Sequence, residues 1–335
     1  MKYIALFTSL LLFGIIGIVL LLPASETQEM GKWKVLHESA FIHGSRILQI
    51  MFFDMENGIA VSPGGIAKTD DGGKQWANVH SVEGNGYYSF AFADNRRGIA
   101  VGSVKNEVPL VLRTIDAGNS WQMLNFDPKV LNRDEIKITT FLDVCFDSTG
   151  TIWIVGNKGM VSASVEEDKL NILSVNSSTG ELSSIACAAK GQIFTVEGNT
   201  VLTNSGNGWQ KKQIDPKYYF GKVKSIGNVI WLLGGKQAEV DSEHGSGIVL
   251  RSSNSGDTWE DKTPKSGNLQ FDISRDDGVL WLVGAAGQIH FSKDNGDTWL
   301  ASPSPTKADL LSVYFHDSQN GWITGDRGTV LMYSH

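Results

Sequence analysis

Short apolar runs alternate with glycine-containing turns along most of the chain. Each unit has an apolar strand that ends near an Asp, a Gly turn, a strand rich in Trp, Ile and Val, a second Gly turn and a third strand. The pattern is plainest in residues 311–333 and returns in residues 47–68. Short apolar runs bounded by Gly and Asp are typical of β-strands joined by tight turns. The pattern therefore predicts repeated antiparallel sheets.

The third strand of most units is followed by an eight-residue motif that reads hydroxyl, x, Asp, x, Gly, x, x, Trp. Its defining residues are Thr69, Asp71, Gly73 and Trp76; Thr114, Asp116, Gly118 and Trp121; Ser252, Asn254, Gly256 and Trp259; Ser292, Asp294, Gly296 and Trp299; and, in a degenerate copy, Asn204, Gly206 and Trp209. The Asp or Asn side chain can accept hydrogen bonds from nearby backbone N–H groups, and Gly supplies a positive φ. We therefore expect a structural hairpin turn that the Trp ring covers.

The motif resembles the Asp box, also called the bacterial neuraminidase repeat. In the families that carry it, the Asp box joins the third and fourth strands of β-propeller blades. The resemblance implies an all-β propeller fold and is silent about chemistry.

The spacing of the motifs gives the number of blades. Successive motifs lie one period apart, except that two periods separate Trp121 from Trp209. A blade without the motif is therefore predicted there, with strands at residues 142–146, 151–155 and 160–164 and with residues 165–170 in place of the box. The C-terminal unit lacks a fourth strand, which residues 31–36 can supply. The sequence predicts a seven-bladed β-propeller of four-stranded antiparallel blades, closed by the N-terminal strand, with residues 26–335 as a single domain.

The N-terminal segment directs export. Residues 3–22 are apolar or small, follow Lys2 and precede an acidic flank. Residues 1–25 therefore form either a cleavable signal peptide or a membrane anchor, because about 20 apolar residues can span a bilayer and Leu22 fits a cleavage site poorly. The segment has no Cys, which excludes a bacterial lipoprotein. We expect a periplasmic or extracellular protein, anchored to the inner membrane by residues 3–22 if the segment is retained.

Composition removes several classes of function. The net charge of −7 is spread along the chain without a basic run, which argues against nucleic-acid binding. The seven histidines show no ligand spacing, so no metal is expected. No cofactor site and no catalytic constellation is predicted. Cys145 and Cys187 occupy corresponding positions in successive repeats, where a disulfide is conceivable, but two buried small side chains are the preferred interpretation.

Departures from the repeat indicate where a partner binds. Turns between strands three and four share one face of the propeller with turns between strands one and two. The other turns and the inter-blade connections share the opposite face, where residues 103–109, 125–140, 210–222 and 235–247 form long loops. The candidate binding residues there are Asn106, Glu107, Lys129, Arg133, Lys217, Tyr218, Tyr219, Phe220, Glu239, Asp241 and His244. Tolerated surface insertions remain the alternative.

A sialidase-like glycosidase or a lyase is the alternative function. A sialidase resembles the chain in fold, but it also needs three arginines, a Tyr–Glu nucleophile pair and an acidic Asp. Its early Arg-Ile-Pro signature is only approached by Arg46-Ile47-Leu48. Arg113 and Arg251 both immediately precede a box, as Lys68 does, so a structural role is the simpler interpretation. We therefore favour a protein that is not an enzyme.

The repeats resemble most closely the photosystem II stability and assembly factor family and its relatives in non-photosynthetic bacteria. The resemblance covers residues 31–335. It rests on Gly321-Trp-Ile-Thr-Gly325-Asp-Arg-Gly328-Thr-Val-Leu, Leu112-Arg-Thr114-Ile-Asp-Ala-Gly118 and Leu250-Arg-Ser252-Ser-Asn-Ser-Gly256. It implies an exported, non-catalytic scaffold, expected to be a monomer, that binds a protein or a membrane complex. No partner-binding residue of the family maps onto this chain.

Overall fold

The structure, a computed structural model, describes residues 31–38, 46–105, 107–131, 137–239, 245–265 and 267–334. The predicted signal peptide or anchor lies outside these residues. The described chain forms seven four-stranded antiparallel sheets, so the predicted seven-bladed propeller is confirmed. None of the helical segments in these ranges is long and apolar enough to cross a membrane.

The strands follow one another blade by blade. Blade 1 contains β2 (Gln49–Phe52), β3 (Gly58–Ser62), β4 (Gly65–Thr69) and β5 (Ala77–His80). Blade 2 contains β6 (Asn85–Phe92), β7 (Gly98–Val104), β8 (Val108–Thr114) and β9 (Gln122–Met123). Blade 3 contains β10 (Phe141–Phe146), β11 (Ile152–Gly156), β12 (Gly159–Glu166) and β13 (Lys169–Ser177). Blade 4 contains β14 (Ser184–Cys187), β15 (Ile193–Glu197), β16 (Thr200–Asn204) and β17 (Trp209–Gln213).

The remaining blades complete the ring. Blade 5 contains β18 (Tyr218–Ile226), β19 (Val229–Lys236), β20 (Gly247–Ser252) and β21 (Glu260–Asp261). Blade 6 contains β22 (Gln270–Asp276), β23 (Val279–Gly284), β24 (Ile289–Ser292) and β25 (Leu300–Ala301). Blade 7 contains β26 (Leu310–Asp317), β27 (Asn320–Gly325), β28 (Thr329–Ser334) and β1 (Lys32–Glu38). Short 3-10 turns occupy Pro128–Leu131, Ala189–Gly191, Gln237–Glu239, Ala285–Gly287 and Asp326–Gly328.

The two ends of the described chain meet in blade 7. β1 pairs antiparallel with β28, with Trp33 opposite Tyr333. The backbone N–H of Gly31 donates to the Tyr333 hydroxyl at 2.7 Å. The buried Trp33 ring also packs edge-on against Trp281 of blade 6, with ring centroids 5.5 Å apart. The predicted closure of the ring is thus confirmed, and it pairs the last blade's otherwise open strand.

The box turns are held by the hydrogen bonds that their residue types predict. Ser292 Oγ accepts from the N–H of Gly296 at 2.8 Å, and Asp294 Oδ1 accepts from the N–H of Thr298 at 2.8 Å. Equivalent bonds recur in the turns after β4, β8 and β20. Hydrogen bonds from the side chain and backbone of Thr298 lower the pKa of Asp294 to about 2. The face that carries these turns is called the box face below, and the opposite face the loop face.

Each well-formed box turn also packs on the blade before it. A Cβ on Gly296 would lie 2.4 Å from the Trp231 ring of blade 5, and one on Gly118 would lie 2.6 Å from Ile59 of blade 1. The Trp322 ring N–H of blade 7 donates to the Gly72 carbonyl of blade 1 at 2.9 Å. The box turns are therefore joints between neighbouring blades.

The contribution of this packing contact to the free energy of unfolding can be measured by comparing two glycines in equivalent turns. Gly296 and Gly206 both have positive φ, +84° and +95°, but only Gly296 has a side chain against it. Gly206→Ala is expected to lower the free energy of unfolding by about 1 kcal/mol through the left-handed backbone. Gly296→Ala is expected to lose about 2 kcal/mol more, because the methyl group overpacks the Trp231 ring. Urea denaturation of both variants tests this, and equal losses would contradict the packing role.

Blade 3 lacks the box, as predicted. A tight hairpin at Glu167 and Asp168 connects β12 to β13, so these two strands are longer than their counterparts in the other blades. Asn125, from the connection after blade 2, forms a parallel bridge with Lys169. The Asn125 N–H donates to the Asp168 carbonyl at 2.9 Å, and the Leu170 N–H donates to the Asn125 carbonyl at 2.9 Å. These backbone bonds replace the missing joint between blades 2 and 3.

The preferred interpretation of the two cysteines is wrong, because they form a disulfide. Cys145 in β10 and Cys187 in β14 are bonded, with Cα atoms 5.7 Å apart. Their positions also differ by one residue relative to the repeat, since Cys145 pairs with Trp153 two residues after Asp143, whereas Cys187 lies three residues after Ser184. The bond links the inner strands of blades 3 and 4.

Candidate functional site

A shared irregularity shapes the inner strands that surround the central channel. In blades 2, 3, 5, 6 and 7 the register between strands one and two shifts by one residue near the loop face. A glycine stands opposite each shift, and a Cβ there would lie only about 2 Å from a first-strand carbonyl; the glycines are Gly102, Gly156, Gly234, Gly284 and Gly325. Such a bulge redirects the side chain of the extra residue. The extra residues line the channel.

Directly after the bulge position, each inner strand places a polar residue at the same register. The seven residues are Gln49, Ser89, Asp143, Ser184, Lys222, Asp272 and Ser312, called the polar ring below. Several of them bind the next blade. Gln49 Oε1 accepts from the Phe90 N–H at 2.9 Å, and the Ile50 N–H donates to Ser312 Oγ at 3.4 Å.

The two carboxylates of the polar ring are occupied by the channel wall. Asp143 is 6% exposed and accepts from Ser89 Oγ at 2.7 Å, from Ser184 Oγ at 2.8 Å and from the backbone N–H groups of Val144 and Ile185 at 3.0 and 3.1 Å. These bonds join blades 2, 3 and 4. These hydrogen bonds use both carboxylate oxygens of Asp143, which is therefore a structural acceptor.

Asp272 plays the same part for blades 5, 6 and 7. It is 4% exposed and accepts from Lys224 Nζ at 2.6 Å, from the Val313 N–H at 3.0 Å and from Ser312 Oγ at 3.3 Å. Neither carboxylate of the polar ring is placed to act as a free acid or base.

Lys222 is less completely paired than its neighbours. Its ammonium nitrogen lies 3.6 Å from Asp143 Oδ2, an ion pair longer than a hydrogen bond, and its side chain is 33% exposed. Burial lowers the pKa of Lys222, but the carboxylates of Asp143 and Asp272 raise it by more, so the net shift is upward. Lys222 therefore presents a permanent cation to the channel.

The channel has a volume of about 720 Å³ and receives side chains from all seven inner strands. Directly before each member of the polar ring, towards the loop face, stands one lining residue. These seven residues are Leu48, Tyr88, Leu142, Ser183, Gly221, Phe271 and Leu311, called the collar below. Five of the seven are large and apolar or aromatic. Cys187 also lines the channel, so the disulfide borders it.

The candidate residues on the loop face form one cluster and several separate positions. Lys217 Nζ lies 4.8 Å from the Tyr218 ring centroid and 2.9 Å from Asp215 Oδ2. The Gln237 N–H donates to the Lys217 carbonyl at 2.7 Å, and Glu239 accepts from the Ser246 N–H at 2.6 Å. Burial is the main cause that raises the pKa of Tyr219, and the negative charge of Glu239 raises it further.

Glu107 and Lys129 are exposed on other loops, in blade 2 and in the connection from blade 2 to blade 3. The Lys129 N–H donates to Asp127 Oδ1 at 2.9 Å. Asn106, Arg133, Asp241 and His244 lie outside the described residues.

The predicted loop at residues 210–222 is wrong in its boundaries. β17 extends to Gln213 and β18 begins at Tyr218, so the connection is four residues long. Phe220 was expected on the surface but is 2% exposed, in the core with Val223 and Ile248. Its position opposite Gly234, directly before the bulge, directs the ring into the blade. Tyr218 and Tyr219 are half-buried.

The basic residues before the boxes hold the next blade. Lys68 Nζ donates to Asn119 Oδ1 at 2.6 Å, and Arg251 donates to the Asn295 carbonyl at 2.6 Å. Arg113 donates to the Glu167 carbonyl. Their equivalent contacts fit the structural role predicted for them.

Arg46 pairs with Asp326 at 2.7 Å. Within the described ranges, no group of three or more His, Cys, Asp or Glu side chains is arranged to hold a metal ion.

The polar ring escaped sequence reasoning, although a signal for it existed. Each member is a polar residue at the same position in the first strand of its unit. Aligning the units on that strand would have found the ring. The hydrogen bonds between the polar ring and neighbouring blades could not have been predicted from the sequence of a single repeat.

Comparison with known proteins places the whole propeller in one family. A family model described as "Photosynthesis system II assembly factor YCF48" matches residues 26–334. The chain is 22% identical over 305 residues to "Photosystem II assembly lipoprotein Ycf48" of Synechococcus sp. (strain CC9902), which covers 85% of this chain and 84% of that protein.

Solved structures agree in fold. One titled "YCF48 bound to D1 peptide" superposes with a TM-score of 0.68 at 18% identity, covering 92% of this chain and 100% of that one. "YCF48 from Cyanidioschyzon merolae" superposes with a TM-score of 0.67 at 20% identity, covering 90% and 99%.

Proposed function

This chain belongs to the photosystem II assembly factor YCF48 family, and from that premise we propose that it is an exported, non-catalytic propeller that binds a protein of a membrane complex during assembly. The observation that carries the proposal is the family match, which extends over the entire propeller. One solved relative is bound to a D1 peptide. We therefore propose that this chain, too, recognises an extended polypeptide segment.

The chemistry of the channel supports a scaffold over a glycosidase. A glycosidase needs a carboxyl group free to donate a proton and a nucleophile facing the substrate. Asp143 and Asp272 instead accept backbone N–H groups of neighbouring blades. Tyr314, which also lines the channel, donates its hydroxyl to the Phe52 carbonyl at 2.7 Å. These three groups of the channel are thus committed to the fold.

The disulfide supports export, because structural disulfides persist in oxidising compartments. Both cysteines of the chain are used in it. The named relative is a lipoprotein, but neither cysteine here is available for a lipid. Attachment to a membrane is therefore proposed only through the apolar residues 3–22, as an alternative to cleavage.

Affinity capture with matched charge reversals tests both the function and the face. Full-length protein is used as bait against detergent-solubilised membranes. Replacing Lys129 and Lys217 on the loop face with Glu is expected to reduce partner recovery about tenfold, since rim charges govern encounter and affinity. Replacing Lys74 and Lys293 on the box face with Glu makes the same change in net charge and is expected to leave recovery unchanged.

Each outcome has a distinct meaning. If wild-type protein recovers no specific membrane partner, the proposed function is wrong. If the box-face pair loses the partner and the loop-face pair retains it, the partner binds the opposite face from the one proposed.

A further inference from the structure

The collar around the channel mouth has a gap on one side. Leu48, Tyr88, Leu142, Phe271 and Leu311 supply bulk from five blades, whereas the adjacent blades 4 and 5 supply Ser183 and Gly221. Gly221 is exposed and its φ lies outside the left-handed region, so the backbone there does not demand glycine. A Cβ on Gly221 would meet no atom within 4 Å. The glycine therefore leaves open space that no packing requirement explains.

Lys222 follows directly and lies at the foot of this gap. Lys224, on the same strand, is engaged by Asp272 at 2.6 Å, but Lys222 has only the longer contact to Asp143. The four neutral or backbone donors described above already occupy Asp143. Lys222 thus keeps donors that its own wall does not use.

The channel is lined by three cationic and three anionic side chains. The lining contains Lys222, Lys224, Arg275, Asp143, Glu181 and Asp272. Asp143 and Asp272 are hydrogen-bonded to the channel wall, and Lys224 pairs with Asp272. Arg275 is the third cation of the lining. Glu181 precedes Ser183 by two residues, so it lies on the loop-face side of the polar ring. Lys222 is the cation of the ring that an anionic group can reach through the gap. Charged donors and carboxylates form the stronger class of hydrogen bond.

We propose that the gap between Ser183 and Gly221 admits an extended segment of the partner polypeptide, and that a carboxylate on this segment binds Lys222. The inference rests on the proposed function and specifies its binding route. An apolar collar would contact the side chains of the segment, while Lys222 would select the acidic group. A channel of about 720 Å³ is within the size range of pockets that enclose ligands.

The test uses the full chain as bait and short randomised peptides as the probe. One peptide pool has free C-terminal carboxylates and the other is amidated at the C-terminus. Wild-type protein is expected to enrich peptides that carry a carboxylate, as read by sequencing the bound fraction. Enrichment only from the free pool identifies the C-terminus as the ligand, whereas Asp- or Glu-bearing peptides enriched from both pools identify a side chain.

Variants separate the gap from the cation. Gly221→Trp places an indole ring at a position where a Cβ meets no atom within 4 Å, and it is expected to reduce enrichment about tenfold. Lys222→Met is expected to abolish the preference for carboxylates while neutral peptides still enter. Ser148→Trp adds the same ring to an exposed turn of the box face and is expected to bind like wild type. Should Gly221→Trp fail to fold, Ser183→Leu narrows the same gap from blade 4.

The proposal is overturned if wild type enriches nothing, or if a folded Gly221→Trp variant enriches as wild type does. Capture from membranes distinguishes a failure of the channel route from a failure of the proposed function. A Gly221→Trp protein that still recovers the membrane partner leaves the proposed function standing and removes the channel route.

Discussion

Phe220→Ala is expected to lower the free energy of unfolding by about 3–5 kcal/mol, the usual cost of truncating a buried Phe. The ring is 2% exposed and packs with Val223, Ile230 and Ile248 between β18, β19 and β20 of blade 5. Its loss would leave a cavity directly beside the bulge that shapes the channel mouth. Urea denaturation followed by tryptophan fluorescence gives the loss as a shift of the midpoint at unchanged slope.

Tyr218→Ala is the matched control on the same strand. Tyr218 is half-buried, so its truncation is expected to cost less than half as much. A Phe220→Ala protein within 1 kcal/mol of wild type would show that the ring is not a core residue. Reduced partner capture by that variant has meaning only after correction for the folded fraction.

The burial of Phe220 could not be predicted from the sequence. β17 has the sequence Trp-Gln-Lys-Lys-Gln, an exposed outer strand with no apolar alternation, so it was interpreted as a loop. In β18 the bulge at Gly221 shifts the register by one residue. Because strand side chains alternate with period two, such a shift reverses the face to which later residues point. The residues on the two sides of Gly221 therefore do not follow one alternation, and the sequence alone did not show that Phe220 points into the core.

The box turns were predictable for the opposite reason. Their hydrogen bonds join residues no more than four apart, as from the Gly296 N–H to Ser292 Oγ. Both the type of turn and its repetition are thus written within single stretches of sequence. The number of blades followed from the repeat length, and the ring closure followed from the fourth strand that the C-terminal unit lacks.

The candidate site depends on contacts between blades, which are distant in sequence. Asp143 binds Ser89 and Ser184, 54 and 41 residues away. The same acidic residue in one isolated unit could equally be a catalytic group or a ligand for a metal. Only the neighbouring strands show that its oxygens are filled, and only the ring of seven inner strands shows that Gly221 opens a gap.

The disulfide has the same origin, since Cys145 and Cys187 are close only because blades 3 and 4 are adjacent. Spacing within the repeat suggested equivalence, but the bonded pair is offset by one residue. The preference of free Cys for burial was therefore the wrong guide at this position.

Removing this disulfide is expected to cost about 4 kcal/mol, because the bond closes a loop of 42 residues in the unfolded chain. Cys145→Ser with Cys187→Ser should lower the urea midpoint, and reduction of wild-type protein should lower it equally. The double variant should not respond to the reductant, which controls for effects elsewhere. Thiol labelling of denatured protein should detect no free thiol before reduction and two after it. If reduction exposes both thiols and leaves the midpoint unchanged, the bond does not stabilise the propeller, and the junction of blades 3 and 4 depends on the hydrogen bonds of Asp143 instead.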